Sequence, residues 1–207
     1  MKVIIAPVGT LGTNCYIVGS ESGDAFVVDP GAQPEKLAGI LTEQNLTLKY
    51  ILLTHGHYDH IGGVKALMEK FPDVTLHIGE NDQEMLEDAS KSYANRWDDG
   101  EDHRILGAQT LKEGDTLEVG DLTINVLDTP GHTKGGVCYL CGDVIFSGDT
   151  LFRGDIGRCD LYGGNFDVMK QSLAKLVALE GDYTVYPGHE QSTTLDYERA
   201  YNPYLRG

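Results

Sequence analysis

Basic residues are scarce in this chain. Lys and Arg number 16 against 32 Asp and Glu, giving a formal net charge of −16 and a sequence pI near 4.6. No Lys/Arg cluster forms a local exception, so phosphate backbones and anionic lipid heads repel the surface, and neither nucleic acid nor a membrane is an expected partner. Long hydrophobic runs are lacking too. The opening MKVIIAPVGT is interrupted at Pro7, too short for a secretory core or a membrane span, and no later run is long enough either. The expected compartment is the cytoplasm. Cysteine is limited to Cys15, Cys138, Cys141 and Cys159, which a reducing compartment would keep as free thiols. Cys138 and Cys141 form a C-x-x-C, yet they lie in the β-rich GVCYLCGDVIF, where residues three apart point to opposite faces of a strand. With no second C-x-x-C, they read as strand residues rather than a zinc or redox pair. Linkers and low-complexity segments are absent as well, and 207 residues make one domain, 1–207.

Glycine, by contrast, is plentiful: 26 residues, scattered rather than periodic, which suits many tight turns at strand ends. Short apolar, β-branched runs end in such turns throughout: KVIIAPV, NCYIVG, AFVVDPG, KYILLTHG, VTLHIG, DTLEVG, LTINVLDTPG, VCYLCG, VIFSGD and YTVYPG. They predict strands. Helical patterns fall between them. Pro34 opens one with Leu37, Ile40 and Leu41 on a face, and Gly62-Gly63 leads into another with Val64, Leu67, Met68 and Phe71. Asn165 is set to cap a third, with Asp167 in its first turn and a stripe of Phe166, Met169, Leu173, Leu176 and Val177. The alternation suggests layered sheets flanked by helices. Residues 81–106 are polar and irregular, predicting a short helix and then a mobile surface loop. Three runs end in Pro-Gly turns, so strands lying side by side and pointing the same way would bring Asp29, His132 and His189 to one rim.

The densest chemistry is THGHYDHIGG, residues 54–63. Three of the seven histidines fall within it, with a carboxylate: His55, His57, Asp59 and His60. In extended backbone beyond a strand, His55 and His57 project to the same side and can share a metal, while Asp59 and His60 can face a second position. Clustering imidazoles and carboxylates at ligand spacing is costly without a cation. His77 alternates within a strand and His103 sits in the acidic stretch; neither is a candidate ligand.

THGHYDHIGG, followed in order by DTPGHT, FSGDTLF and YPGHE, resembles the metallo-β-lactamase fold superfamily, and within it the glyoxalase II-like hydrolases. The resemblance runs over nearly the whole chain. It implies an α/β fold, an αββα four-layer sandwich of two mixed sheets flanked by helices with metals at one edge. It also implies two divalent ions, zinc first with iron or manganese as alternatives: one held by His55, His57 and His132, one by Asp59, His60 and His189, and Asp149 between them. Such a pair would share a water and lower its pKa from 15.7 toward about 7, providing a bridging hydroxide for cleavage of a small acyl thioester. Asp59 is then both ligand and proton acceptor, and Asp29 resembles the carboxylate that orients a metal-bound imidazole. In the segment LFRGDIGRCDLYGGN, Arg158 corresponds to a position that meets the substrate's carboxylate, with Arg153 and Tyr162 as helpers. Only Glu190–Gly207 follows His189, so the expected chain lacks the helical domain that supplies much of the glutathione site in longer relatives.

Three other readings stay open. An iron persulfide dioxygenase, using one iron on two histidines and a carboxylate, has the same HxHxDH motif. A lactone or ester hydrolase would use the same site, and a metal-binding protein without catalytic role is the third. A secreted antibiotic β-lactamase fits less well, because Asp149 stands where those carry cysteine and no export signal is evident; nucleases would need a basic groove, and flavodiiron proteins a carboxylate at His57. The sequence is compatible with a homo-oligomer. Within 92–104, Tyr93, Arg96 and Trp97 are expected near the mouth of the site as substrate selectors.

Overall fold

The computed structural model describes residues 1–96 and 102–206. Its first sheet runs in chain order through β1 (Lys2–Val8), β2 (Thr13–Gly19), β3 (Asp24–Val28), β4 (Thr47–Leu53), β5 (Thr75–Gly79) and β6 (Gln109–Leu111). The first three strands are antiparallel and β3 to β6 are parallel. The second sheet contains β7 (Thr116–Val119), β8 (Leu122–Asp128), β9 (Val137–Cys141), β10 (Val144–Gly148), β13 (Thr184–Pro187) and β14 (Thr193–Thr194), in the order β14-β13-β10-β9-β8-β7. Only its β10–β13 pair is parallel. A small hairpin, β11 (Leu151–Phe152) and β12 (Asp155–Ile156), follows β10. Parallel neighbours require crossovers. α1 (Pro34–Glu43) makes the one from β3 to β4, α2 (Tyr58–Ile61) and α3 (Val64–Lys70) lie between β4 and β5, and α5 (Phe166–Val177) between β10 and β13. α4 (Gln83–Glu87) and α6 (Leu195–Tyr201) complete the described helices.

Period-2 alternation divides the apolar side chains among three cores, as a four-layer αββα sandwich demands. On β2, Cys15 and Ile17 face α1 and α3 in a core with Leu37, Leu41, Val64 and Leu67. Tyr16 and Val18 face the opposite sheet and meet Phe26, Tyr139 and Phe146. On β9 the same rule separates the C-x-x-C: Cys138 packs under α5 with Met169, Leu173 and Leu176, whereas Cys141 lies between the sheets. All four cysteines are free.

Each run read as a strand forms one, and Pro34 begins α1 as its first helical residue. Asn165 caps α5, its side-chain oxygen accepting from the N–H groups of Asp167 and Val168 at 2.9 and 3.1 Å. Phe166 departs from the expected stripe: it is exposed, edge-on to Tyr204, while Ser172 takes a buried place by donating to the Pro130 carbonyl. Among the described residues no helix is long and apolar enough to cross a membrane.

Candidate metal centre

The ends of β3, β4, β8, β10 and β13 meet along one rim of the sandwich and carry Asp29, His55, His132, Asp149 and His189 there. The three Pro-Gly ends do converge. However, they belong to two sheets, β3 in the first and β8 and β13 in the second, so the rim is made by facing sheets rather than adjacent strands.

Seven side chains gather in overlapping sets whose donor atoms lie within 4.8 Å of one another: His55, His57 and His132; His55, His60 and Asp149; and Asp59, His60 and His189. Individual separations are informative. His189 Nε2 lies 3.2 Å and His60 Nε2 3.4 Å from Asp59 Oδ2, His132 Nε2 lies 3.4 Å from Asp149 Oδ2, and His60 Nε2 lies 3.5 Å from Asp149 Oδ1. Donors about 2.0–2.2 Å from a tetrahedral ion stand roughly 3.3–3.6 Å apart, so this spacing suits coordination better than hydrogen bonding. Nε2 of His55, His57 and His60 and Oδ1 of Asp149 are buried and have no hydrogen-bond partner among the described residues, while His57 Nδ1 lies 2.9 Å from His132 Nε2. Orphaned polar atoms at this density are costly unless a cation satisfies them, so the residues present fit a metal.

The outer ring nitrogens are engaged by the protein. Asp29 accepts from the N–H and hydroxyl of Thr54 at 2.8 and 2.7 Å and from His60 Nδ1 at 3.0 Å. Because the Thr54 hydroxyl donates to Asp29, its oxygen accepts from His55 Nδ1 at 3.1 Å. His132 Nδ1 donates to the carbonyl of Arg158 at 2.7 Å. These bonds occupy Nδ1 of all three rings and turn each Nε2 inward, the atom that would meet a metal once His60 gives up its extra proton.

Electrostatics separate the two ends of the cluster. Burial, together with His132 and His60, lowers His57 to about 3, and burial likewise lowers His55. Both are neutral imidazoles at pH 7. Burial also opposes protonation of His60, but Asp59, Asp149 and Asp29 outweigh it and hold this ring up at about 10. His189 is raised as well, its burial outweighed by Asp59 and Asp149. Burial pushes Asp59 upward, yet His60, His189 and Thr13 take it well below the usual carboxylate range. The carboxylate-rich end thus draws positive charge to itself.

Several residues that position the cluster carry no sequence motif. Thr13 donates to Asp59 Oδ2 at 2.9 Å. Asn14 donates its side-chain N–H to the carbonyls of Pro187 and Glu190, and Tyr16 its hydroxyl to Pro187, so β2 grips the turn bearing His189. Asp82 is fully buried and accepts from the N–H of Gly56 at 3.1 Å and of Gly135 at 2.7 Å, clamping the His55–His57 loop to the loop after His132. The one signal for the β2 residues was two adjacent polar side chains heading an otherwise apolar run. Two glycines are required by close approach: a Cβ at Gly56 would lie 2.5 Å from that of Met85, and one at Gly188 would lie 2.2 Å from Asp149 Oδ1, inside the cluster.

A cleft of about 230 Å³ opens onto the cluster, with Tyr93, Arg96, Arg158 and Leu161 on its walls. Arg158 lines it with its side chain bound to Asp160 through two contacts of 2.7 and 2.8 Å. Arg153 lies over the Tyr197 ring, and the Tyr162 hydroxyl donates to Glu84; neither is among the cleft-lining residues. Ser92, Tyr93 and Arg96 do reach the cleft, as expected for part of that stretch, whereas Trp97 lies outside the described residues. His77 is buried edge-on to Tyr50, and His103 contacts the Tyr58 ring; both are apart from the metal sets.

Comparison with known proteins agrees with this geometry. The metallo-beta-lactamase superfamily model matches residues 8–189. The hydroxyacylglutathione hydrolase GloC of Haemophilus influenzae is 31% identical, over 99% of this chain and 98% of that protein. Of solved structures, BLEG-1 B3 metallo-beta-lactamase aligns with a TM-score of 0.90 and 34% identity over 100% of both chains. TTHA1623 in a di-iron-bound form aligns with a TM-score of 0.88 and 36% identity, over 98% of this chain and 100% of that one.

Proposed function

The chain belongs to the metallo-beta-lactamase superfamily and is a metal-dependent hydrolase with a histidine-rich metal site, and on that premise we propose that it cleaves small acyl thioesters at a dinuclear centre. The observation that carries the dinuclear reading is the pair of donor sets, His55, His57 and His132 on one side and Asp59, His60 and His189 on the other, with Asp149 reaching both. Zinc suits this nitrogen and oxygen donor set, as do iron and manganese. The likeness to TTHA1623 in a di-iron-bound form supports keeping iron in view.

When bound, the divalent ions supply Lewis acidity, polarising a carbonyl and lowering the pKa of water toward about 7. The protein's share is positioning. Thr13 fixes Asp59 by donating to Oδ2, and the low pKa of Asp59 keeps it an ionised hydrogen-bond acceptor that can orient an incoming water. Asp29 fixes His60, and through Thr54 it fixes His55. Overall, the water oxygen bonds to the acyl carbon, the C–S bond breaks, and a proton ends on the departing thiolate. Arg158 and Arg96 on the cleft wall offer cationic contacts to a carboxylate on the thiol carrier. The likeness to GloC supports a thioester as the substrate class.

A second reading, hydrolysis of an ester or lactam ring, is favoured by the likeness to BLEG-1. The deciding experiment purifies the protein without added metal, measures which metal it holds and how much, and screens lactoyl- and other acyl-thioesters beside a lactone, a β-lactam and glutathione persulfide. Thioester hydrolysis with two ions per chain is expected. Cleavage of the lactone or β-lactam with every thioester untouched would favour the second reading, and one iron per chain with oxygen uptake on the persulfide would overturn the hydrolase reading.

A further inference from the structure

A second cavity, of about 310 Å³, opens beside the metal cleft. Its walls are the tip of the β1–β2 hairpin, with Thr10 and Leu11, and the loop entering α1, with Ala32, Gln33 and Pro34. It shares Leu11, Tyr58 and Asp59 with the cleft, so the two spaces meet at the second donor set. Their chemistry differs. The cleft contains Arg96 and Arg158, whereas among the described residues the second cavity has no basic side chain and one charged one, Asp59, already committed to the metal set.

We propose that this second cavity is the acyl subsite and that it selects a neutral, apolar acyl chain of several carbons. The inference rests on the thioester reading above. A thioester has two arms diverging from one carbonyl. With the carbonyl at the donor cluster, a charged thiol carrier is matched by the arginine wall and an uncharged acyl arm by the space beyond Leu11. Size points the same way: small-molecule sites start at roughly 300 Å³, so the cleft alone is cramped and the adjoining cavity supplies the missing room. Leu11 is 60% exposed at the hairpin tip, between Gly9 and Gly12 in left-handed conformation. A lone exposed leucine is ordinary. One that forms the shared wall of two cavities gains an apolar neighbour when an acyl chain passes it.

The test uses metal-loaded protein and straight-chain acyl thioesters of one thiol, from two to eight carbons. In the wild type, kcat/KM should rise up to about fourfold per added methylene until the cavity is filled, the factor corresponding to about 0.8 kcal/mol per buried CH₂. Thr10→Trp, at an exposed position lining only the second cavity, should lower the long-to-short ratio at least tenfold. Calorimetric binding of n-alkanoates provides a readout independent of turnover and should tighten with chain length in the wild type and not in Thr10→Trp. A flat length profile in an active wild type, or an equal loss on every chain length in the variant, would overturn the acyl subsite alone. Failure to hydrolyse any thioester would overturn the thioester reading and the subsite with it.

Discussion

On the floor of the cleft, Nε2 of His55 and Nε2 of His60 are buried and have no hydrogen-bond partner among the described residues, and each outer nitrogen of His55, His60 and His132 is held by an acceptor of the protein. On the wall, Arg158 is 60% exposed and already bound to Asp160, which is 68% exposed. The floor leaves its bonding capacity open and its geometry closed; the wall does the reverse. Groups that must meet a cation cannot be satisfied by each other, and they hold their places only because a surrounding shell fixes them. Groups that meet a variable organic arm can stay solvated and exchange one partner for another at little cost.

The sharpest way to break this contrast is to empty the floor. Chelation, or His55→Ala, should reduce hydrolysis by on the order of a thousandfold or more, because without the ions the pKa of water returns toward 15.7. Turnover before and after chelation, and again after adding zinc, iron or manganese, checks this for the chelated wild type. The shell comes next. Asp29→Asn should weaken metal affinity by about 10–100-fold, read by competition with a chromophoric chelator, while the fold remains. Asp82→Ala should cost about 1–3 kcal/mol for each of the two backbone N–H groups it strands, measured by denaturant unfolding, and Asp82→Asn less.

Protons sharpen the contrast within the floor itself. His60, raised to about 10, carries a proton at pH 7 that a metal must expel, whereas His57, near 3, carries none. Apparent metal affinity should therefore rise with pH, up to about tenfold per unit for each proton released, until it levels near pH 10. Calorimetry in buffers of different ionisation enthalpy counts those protons. The smallest effect belongs to the wall: Arg158→Gln should raise KM about two- to fivefold for a thioester with a carboxylate on its thiol carrier and leave kcat nearly unchanged. Asp160→Asn, which releases the guanidinium, should lower that KM slightly.

The same division explains what could be read in the sequence. A metal floor needs rare residue types at fixed spacing, and His55-x-His57-x-Asp59-His60 announces itself before any contact is known. The two-residue period of β9 foretold the separation of Cys138 and Cys141, because strand geometry is local. Asp82, Thr13 and Asn14 look like ordinary polar residues, since their partners are distant in sequence: Thr13 meets a residue 46 positions away and Asn14 one 173 positions away. Arg153 and Tyr162 were placed near the substrate by the resemblance of their segment, whereas Arg153 lies over the Tyr197 ring and the Tyr162 hydroxyl donates to Glu84. Phe166 fell on the apolar stripe of α5 by spacing, but as the first residue of the helix it is exposed, and its ring meets Tyr204 and Lys170 instead.

The grip of β2 on the turn bearing His189 has a consequence in time as well as space. Asn14 and Tyr16 leave the ribosome 171 to 176 residues before the carbonyls they hold, at Pro187 and Glu190. A nascent chain can gather His55, His57, Asp59 and His60 early and His132 and Asp149 after them, but the set of Asp59 and His60 lacks His189 until β13 arrives and its turn is caught. Contacts of such long sequence separation form late in folding. Full metal uptake therefore waits for the turn bearing His189, and measuring it on arrested chains of increasing length would date the moment at which the centre closes.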